Sequence, residues 1–549
     1  MTGNLLYYGD NLTVLRDQIK DESVDLVYLD PPFNSQANYN VLFKAPSGAE
    51  SHAQVEAFED TWHWGEPAER AFDEVMKGGN TAASELLRSL RAFLHENDMM
   101  AYLAMMAIRL LELHRVLKET GSLYLHCDPA ASHYLKILLD GIFSPQCYRN
   151  EIIWERSKNP KGSQYKTLRW GPSTDTILFY ARSDRTILNV NAAKSLASSP
   201  EIARRYPHTD VKGRWADGPI LRSDSMGQRD NLVFEYKGFT PGPAGWRMVK
   251  EELIKIDEAG DFYWTSEGRP RRRFRPSINA EMNPLSNCWT DIAPINSQAQ
   301  ERLGYPTQKP VALLERIIRA SSRTEDDLIL DPFCGCGTAI HAAQKLGRRW
   351  IGIDITHLAI SLIEKRLTDA FPGIEYEVHG TPKDLEGARD LAARDKYQFQ
   401  WWAGSLVGAI PFGGKKKGAD SGIDGIIYFK DFKKDDEGAA IGTTTEKIIV
   451  SVKGGENVNV AMIRDLAHVV TREKAKLGLF ITLAEPTDPM RKEALAEGYF
   501  ETSRGGKFLK LQILTVADLL DGKKPDLPPA DVSMFTKAPK EIKPQRKLL

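Results

Sequence analysis

The chain of 549 residues lacks three features that would place it in other classes of protein. It has little cysteine, and its five cysteines are scattered, which fits a reducing cytoplasm and argues against a disulfide framework. It has no apolar run long enough to cross a bilayer. Its N-terminus, MTGNLLYYGDN, lacks the basic segment and the apolar core of a signal peptide. We therefore expect a cytoplasmic globular protein that has no membrane partner.

The sequence also lacks an excess of either charge, because its formal net charge is −1. Positive charge is concentrated locally instead, in RPRRRFRP at 269–276 and GGKKKG at 413–418. Such patches can bind nucleic acid even when the whole chain is almost neutral. Hydrophobic residues make up 42% of the chain, as in globular proteins, and a chain of this length predicts two or three domains.

Short apolar runs alternate with helical patterns in the first part of the chain and again after residue 309. LLYYGD at 5–10 and VDLVYLD at 24–30 predict buried strands that end in an acid, and a long helical region is predicted from Thr81 to Lys118. This alternation predicts an α/β fold with a mostly parallel sheet. From 189 to 300 the periodicity is poor, and basic residues interleave with aromatic ones.

LILDPFCGCGTA, at 328–339, is a glycine-rich turn between a predicted strand and a predicted helix. Glycines let a ligand approach the backbone, and the helix N-terminus offers free N–H groups. The next strand ends in Asp354, which is placed to accept hydrogen bonds from ribose hydroxyls. A tight turn without a ligand explains the glycines at least as well. The acid–Pro–Phe start disfavours NAD, and Cys334 and Cys336 alone are too few ligands for a metal.

Asp30-Pro31-Pro32-Phe33 follows a predicted strand, where open α/β sheets place their active sites. The two prolines remove N–H donors and leave carbonyl oxygens as acceptors. A carboxylate, a rigid carbonyl and an aromatic face together match an exocyclic amino group on a planar base. A proline-stiffened turn with a buried phenylalanine explains this motif equally well.

Together the two motifs resemble the catalytic and cofactor motifs of the S-adenosylmethionine-dependent amino-methyltransferases of DNA. Their order, with the catalytic motif first, is similar to the β class, and GSLYLHCDPAASHYLK, RNEIIWER, TDTILFY and YPTQKPVALLERII agree with it. The resemblance covers roughly residues 4–370 and is closest to the adenine N6 methyltransferases, including modification subunits of type III restriction systems. It implies a circularly permuted Rossmann-like fold with an inserted target-recognition region.

The resemblance also implies roles for the matching residues. Asp30 and the Pro31 carbonyl would hold the amino group of a flipped base, with Pro32 stiffening the loop and Phe33, which replaces the family's usual tyrosine, stacking on the base. Adenine N6 is favoured over cytosine N4, which stays open together with RNA as the substrate. The residues that would bind S-adenosylmethionine are Asp10, Thr307, Gln308, Lys309, Asp331, Phe333, Gly335, Gly337, Thr338 and Asp354.

The segment 186–300 is then the expected target-recognition region. Its arginine cluster could contact DNA phosphates or guanine edges. For any single arginine, a solvated basic loop is the better explanation, but for the cluster as a whole DNA contact is favoured. The members of the cluster are Arg269, Arg271, Arg272, Arg273 and Arg275.

GADSGIDGIIYF and KIIVSVKGG predict two strands near the C-terminal end, one carrying Asp424 and the next carrying Lys453. This arrangement resembles the Mrr-like branch of the PD-(D/E)xK nucleases over about 398–520. Where that family has an acid or a glutamine two residues before the lysine, this chain has Ser451, a poor ligand for Mg²⁺. An active nuclease with Mg²⁺ at Asp424, a DNA-binding domain that has lost cleavage, and an unrelated α/β module all stay open. Three acids are candidates to replace the missing ligand: Asp420, Glu446 and Glu456.

The predicted function is site-specific methyl transfer to adenine N6 in double-stranded DNA. The alternatives are a bifunctional restriction–modification or defence protein that also cuts DNA, and a cytosine N4 methyltransferase. The sequence leaves open the recognition site and whether the chain forms a homodimer or joins a partner subunit of a restriction system. The predicted plan has a catalytic half (1–185), a target-recognition region (186–300), a cofactor-binding half (301–375), a linker (376–396), a smaller α/β restriction-endonuclease-like domain (397–522) and a flexible tail (523–549).

Overall fold

The computed structural model describes residues 3–32, 38–44, 50–59, 63–157, 170–193, 203–275, 286–296, 299–305, 307–412, 422–434, 440–529 and 539–541. Phe33, Asp420 and the basic stretch 413–418 lie outside these residues. The chain divides into two compact units, one of Met1–Asn189 with Asn287–Leu549 and the other of Val190–Ser286. None of the described helices is both long enough and apolar enough to cross a membrane.

The elements before the smaller unit belong to the larger one. They are β1 (Leu5–Tyr8), α1 (Asn11–Gln18), β2 (Val24–Leu29), β3 (Asn38–Lys44), β4 (Glu50–Glu59), α2 (Glu66–Lys77), α3 (Thr81–Leu94), α4 (Asp98–Val116), β5 (Leu117–Cys127), α5 (Ser132–Phe143), β6 (Tyr148–Glu155) and β7 (Thr174–Ala181).

The described residues of the smaller unit form a sheet with the strand order β10-β11-β9-β8. Neighbouring strands in this sheet are all antiparallel. Its apolar core is built from Ile220, Trp246, Leu253 and Phe262. The elements are β8 (His208–Asp210), β9 (Gly213–Pro219), α6 (Lys250–Glu258), β10 (Phe262–Trp264) and β11 (Pro270–Phe274).

The larger unit resumes after the smaller one. Its elements up to the end of the main sheet are β12 (Cys288–Trp289), α7 (Val311–Ser321), β13 (Leu328–Asp331), α8 (Thr338–Lys345), β14 (Arg349–Asp354), α9 (His357–Ala370) and β15 (Glu377–His379). The remaining elements are α10 (Leu385–Arg394), α11 (Lys396–Ser405), β16 (Ile410–Pro411), β17 (Gly425–Lys434), β18 (Ala440–Lys453), α12 (Val460–Arg472), β19 (Leu477–Thr482), α13 (Asp488–Ala496), β20 (Tyr499–Glu501), β21 (Lys507–Leu509), β22 (Leu511–Thr515) and α14 (Val516–Leu520).

The main sheet has nine strands in the order β12-β6-β7-β5-β2-β13-β14-β1-β15. The neighbours from β5 to β15 are all parallel, whereas β7 runs antiparallel to β5 and β6. β13, which leads into the glycine-rich turn, pairs directly with β2, and the Leu328 N–H donates to Asp25 Oδ2 at 2.9 Å across 303 residues of chain. The predicted circularly permuted α/β fold is therefore confirmed.

Both faces of the main sheet are covered, as its continuous apolar strands require. Along β2, Val27 and Leu29 pack in one cluster with helices α2 to α5, while Leu26 and Tyr28 pack in another with α7, α8 and α9. This alternation follows from the two-residue period of a strand. Two layers of helix therefore fix the sheet, and its carboxyl edge stays clear for loops.

The predicted helical region from Thr81 to Lys118 is two helices. α3 ends at Leu94 because His95 adopts a φ of +61°, which leaves the helical region. Asn97 then caps α4, and its side chain accepts a hydrogen bond from the Met100 N–H at 2.9 Å. Asparagine is a preferred cap, so the HEND sequence contained a helix-start signal inside the apolar pattern.

The C-terminal domain, which we define as residues 385–520, contains a five-stranded sheet in the order β16-β17-β18-β19-β22. Helices α10 and α11 pack on this sheet, with Leu391 and Phe399 in one cluster with Ile448. The stretch 376–396, predicted as a linker, thus contains a packed helix. Helix α9, which packs on the main sheet, also contributes to an apolar cluster with residues of the C-terminal domain. We call this cluster the shared core; it includes Leu358, Leu362, Ala370, Trp401 and Ile463.

Candidate active site

Four acids predicted from the sequence lie where the parallel strands β1, β2, β13 and β14 end, and the carboxyl ends of parallel strands meet at one edge of a sheet. A cavity of about 350 Å³ opens at this edge. The predicted residues that line it are Asp10, Asp30, Pro31, Pro32, Thr307, Lys309, Asp331, Phe333, Gly335, Thr338 and Asp354. The structure therefore brings the two motifs together around one space, although they lie far apart in the sequence.

Asp30, directly after β2, is held by a lysine of the YPTQKP segment. Lys309 Nζ donates to Asp30 Oδ2 at 2.5 Å, and the two side chains are only 16% and 9% exposed for Asp30 and Lys309. The other carboxylate oxygen, Oδ1, is buried and accepts no hydrogen bond from any described residue. An unpaired buried acceptor is costly, so this oxygen is suited to an N–H donor from a ligand. Stacking by Phe33, outside the described residues, stays a prediction.

The glycine loop, which we define as Asp331–Gly337, uses its glycines for two different reasons. Gly335 and Gly337 adopt φ values of +48° and +72°, a left-handed conformation that side chains disfavour. A Cβ atom on Gly337 would also lie 2.7 Å from Ile363 Cγ1. The loop can therefore pack closely against α9 and deliver the chain into the start of α8, whose N–H groups face the carboxyl edge.

Asp354, at the end of β14, is fixed by the glycine loop and by its own turn. Its Oδ2 accepts from the Gly335 N–H at 2.9 Å, and its Oδ1 accepts from both the N–H and the hydroxyl of Thr356 at 2.9 Å. Burial nevertheless raises the pKa of Asp354 to about 6. A carboxylate oxygen has two lone pairs, so Oδ2, which accepts from the Gly335 N–H, keeps the capacity to accept a further donor.

Asp331 is the most buried acid of the site. Burial raises its pKa well above the ordinary value, and the neighbouring charges of Asp30 and Asp354 raise it further. Its Oδ1 accepts from the Phe333 N–H at 3.1 Å, which closes the first turn of the glycine loop. This contact gives Asp331 a role in shaping the loop.

Arg109 on α4 is a site residue that sequence reasoning missed. It is buried, and it donates to Asp10 Oδ2 at 2.9 Å and to Asn11 Oδ1 at 2.7 Å. Asn11 in turn donates to the Pro332 carbonyl at 2.8 Å. Because Asp10 Oδ1 also caps α1 through the Leu12 N–H, this network ties α1, α4 and the glycine loop together. An arginine on the apolar face of α4 was the available signal.

The three consecutive residues 307–309, predicted to bind the cofactor, have two different roles. Thr307 and Lys309 line the cavity. Gln308 does not line it; it accepts from the Leu303 N–H at 2.8 Å and donates to the Glu301 carbonyl at 2.5 Å. Gln308 therefore shapes the turn that presents its two neighbours.

The predicted arginine cluster lies on or beside β11 of the smaller unit, where much of its charge is paired. Arg271 pairs with Asp217, and Arg275 pairs with Asp210 at 2.7 Å and Asp261 at 2.6 Å. Arg269 lies 3.8 Å from Glu267, and Arg272 lies over the Phe274 ring at 4.0 Å. Arg273 lies 3.8 Å from Asp210 and donates to the Gly260 carbonyl at 2.8 Å. DNA contact by the cluster stays a prediction. Arg269 is its strongest candidate, because its side chain is 77% exposed.

The three residues predicted for the nuclease-like site lie together in the C-terminal domain. Asp424 Oδ2 accepts from the Val452 N–H at 2.7 Å and from Ser451 Oγ at 3.4 Å, and it lies 3.9 Å from Lys453 Nζ. Among the described residues, no group of three His, Cys, Asp or Glu side chains is arranged to hold a metal ion.

Comparisons with known proteins agree with this architecture. Residues 24–365 match a family model described as DNA methylase, and residues 391–511 match one described as restriction endonuclease. The type II methyltransferase M.EcaI of Enterobacter cloacae is 33% identical over 270 residues, covering 48% of this chain and 57% of that protein. The Mod subunit of the type III restriction–modification enzyme StyLTI of Salmonella typhimurium is 25% identical over 363 residues, covering 62% of this chain and 50% of the subunit.

A further relative is aligned over more of its own length. The DNA adenine methyltransferase YhdJ of Escherichia coli is 23% identical over 362 residues, covering 66% of this chain and 82% of that protein. The chain thus spans about half the length of M.EcaI and the StyLTI subunit, and most of YhdJ. Among solved structures, the PvuII DNA methyltransferase (cytosine-N4-specific) aligns with a TM-score of 0.36 at 12% identity, covering 68% of this chain and 89% of that one.

Both resemblances stated from the motifs are therefore confirmed, as is the cofactor expected from them, since the methylase family is S-adenosylmethionine-dependent. The methylase match includes β2, the glycine loop and Asp354, and it covers more than half of the chain. The chain belongs to the DNA methylase family and carries a restriction-endonuclease-like domain on the C-terminal side of its methylase part.

Proposed function

We propose that this chain transfers the methyl group of S-adenosylmethionine to the exocyclic amino nitrogen of a base flipped out of double-stranded DNA, with adenine N6 as the target. The observation that carries the proposal is Asp30 Oδ1, a buried oxygen that accepts no hydrogen bond from the described residues; Asp30 and the glycine loop line the same cavity. A base inside a duplex cannot reach such a cavity, so the target must leave the stack.

The residues of the site fit the chemistry of an amino nucleophile. The lone pair of an aromatic amino group is delocalised into its ring, so the nitrogen is a weak nucleophile until acceptors draw on its N–H bonds. Asp30 Oδ1 is one such acceptor, and the Pro31 carbonyl is the second that the motif offers. Lys309 neutralises and orients the carboxylate through Oδ2. Rate enhancement then rests on positioning, since the bound cofactor itself supplies the electrophilic methyl group.

The same cavity supports a site for the cofactor, because most of the residues predicted to bind it line the cavity. We assign Asp354, at the end of β14, to the ribose hydroxyls, and the left-handed glycines support a close approach of a nucleoside to the backbone. Thr307 also lines the cavity, and we assign it to the methionine part of the cofactor, as the motif resemblance implies. We assign Gln308 to shaping this turn, because its side chain is engaged by the backbone of 301–303.

Adenine is favoured over cytosine by the acid that opens the catalytic motif and by YhdJ, a relative named as a DNA adenine methyltransferase. Cytosine N4 is the alternative target. The likeness to the StyLTI Mod subunit supports a partner subunit from a restriction system as the assembly to test.

The test combines base mapping with one substitution. DNA from a host that expresses this chain should contain N6-methyladenine in one sequence context, and Asp30→Ala should lower methyl transfer at least 100-fold while cofactor binding, measured by calorimetry, persists. Asp17→Ala removes an exposed acid on α1 and serves as the matched control, with unchanged transfer. Methylcytosine as the product, or full transfer by Asp30→Ala, would contradict the proposal.

A further inference from the structure

A second cavity, of about 790 Å³, lies within the C-terminal domain. Helices α10 and α11 form one wall, and the segment that follows β18 forms the other. Gly454 permits this closeness, because a Cβ atom there would lie 2.9 Å from Phe399 and 3.0 Å from Ala392. The cavity is therefore a built feature of the packing between the two helices and the end of the strand that carries Lys453.

The charged groups of this cavity are mainly basic. Arg389, Lys396 and Lys453 line it, and Glu456 is the one acid among its lining residues. Arg389 and Lys396 are exposed and form no ion pair with any described residue. Unpaired basic side chains around a concave surface favour an anion of matching spacing, and the repeated phosphates of a nucleic acid backbone are such an anion.

The acid that would hold a metal for hydrolysis does not line this cavity. Neither Asp424 nor Ser451 lines it, and the Asp424 side chain is only 9% exposed. Asp424 Oδ2 is already engaged by the Val452 N–H and Ser451 Oγ. Mg²⁺ prefers carboxylate oxygens and near-octahedral geometry, and the hydroxyl of Ser451 is a weak substitute.

Of the acids proposed from the sequence as replacements, Glu446 is excluded by position. It lies five residues before Ser451 on β18, which places the two side chains on opposite faces of the strand, and it pairs with Lys476 at 3.7 Å. Glu456 faces the basic cavity instead, and Asp420 is outside the described residues. The described ligand set does not fit a magnesium-dependent nuclease.

We propose that this basic cavity binds backbone phosphates of duplex DNA through Arg389, Lys396 and Lys453, and that the domain anchors DNA without hydrolysing it. The choice of DNA as the polyanion rests on the proposed methyltransferase function. Up to three phosphate contacts would be made, each releasing condensed counterions and steepening the salt dependence of binding.

The first test measures binding of the full chain to a fluorescent duplex over a range of salt concentrations. Arg389→Ala/Lys396→Ala/Lys453→Ala should reduce the slope of log affinity against log salt by about 2 to 3, since each phosphate contact contributes about 0.9. Lys476→Ala, in the same domain but outside the cavity, is the control and should leave the slope unchanged. Glu456→Gln should tighten binding. An unchanged slope in the triple variant would overturn the proposal. It would also be overturned if the cavity bound inorganic phosphate but made no contact with the duplex.

The second test concerns hydrolysis and metal. Supercoiled plasmid should stay intact with the full chain and Mg²⁺ or Mn²⁺, and calorimetry should find no Mn²⁺ binding that depends on Asp424. Ser451→Glu supplies the missing carboxylate and should create such binding. Plasmid cleavage that Lys453→Ala abolishes would refute an anchoring role. Neither test uses methyl transfer, so failure of the proposed methyltransferase function would be seen separately.

Discussion

Asp354 is subject to two opposing effects on its pKa, since hydrogen-bond donors lower it and burial raises it. Three N–H and O–H donors stabilise its charged form, yet burial outweighs them and raises its pKa from 3.8 to about 6. The folded chain therefore holds a proton on Asp354 between these two values that the unfolded chain has released. The contribution of this group to the free energy of unfolding consequently falls as pH rises from 3.8 to about 6.

Cofactor binding should show the opposite trend over the same window. If the Asp354 carboxylate accepts from ribose hydroxyls, only the deprotonated form binds well, so the affinity for S-adenosylmethionine should fall by about tenfold per pH unit below the pKa. Calorimetric Kd values from pH 5 to pH 8 measure this. Asp354→Asn should bind more weakly at pH 8 and should lose the step near pH 6. A step that persists in this variant would assign the titration to another group.

At the residue scale, the sequence was most informative about side chains that belong to a local motif. It was least informative about side chains whose contacts lie far away along the chain. Asp30, Asp331 and Asp354 were predicted because each ends an apolar run. Arg109 was not, because its partners Asp10 and Asn11 are separated from it by about a hundred residues and no local pattern links them.

The conformation of the glycine loop leaves little freedom for substitution. Gly337→Ala should destabilise the fold by more than the ~1–2 kcal/mol of a left-handed alanine, because its Cβ would also meet Ile363 at 2.7 Å. Gly373→Ala is the matched control, with a φ of +81° and nothing within 4 Å of its Cβ. The free energies of unfolding of the two variants, measured by chemical denaturation, separate the cost of a left-handed backbone from the cost of the clash with Ile363. Equal losses would show that α9 moves aside without cost.

At the element scale, strands were predictable as apolar runs, but their neighbours were not. β1 and β2 lie where LLYYGD and VDLVYLD predict strands. The β3–β4 hairpin was missed. The antiparallel direction of β7 was missed too, because pairing is decided by packing across the sheet and leaves no trace in a strand's own sequence.

The shared core makes the methylase part and the C-terminal domain dependent on each other. Leu358, Leu362 and Ala370 of α9 are at most 2% exposed and lie in one cluster with Trp401 and Ile463. A chain ending at residue 383 would expose them, and each leucine would lose roughly 2 kcal/mol of burial. We expect a lower Tm and aggregation of the truncated chain. A chain ending at residue 529, which keeps the shared core, is the control, and equal Tm values for both would contradict the expectation.

The pairing of β2 with β13 has a consequence for synthesis on the ribosome. β2 is a buried apolar strand, yet one of its two edges has no partner until the chain has grown by the 303 residues that separate Asp25 from Leu328. At about 5 to 20 residues per second, this wait lasts roughly 15 to 60 seconds. A nascent chain with an open strand edge is prone to pair with its neighbours, so slow translation or premature termination between the two strands should yield aggregates rather than a partly folded protein.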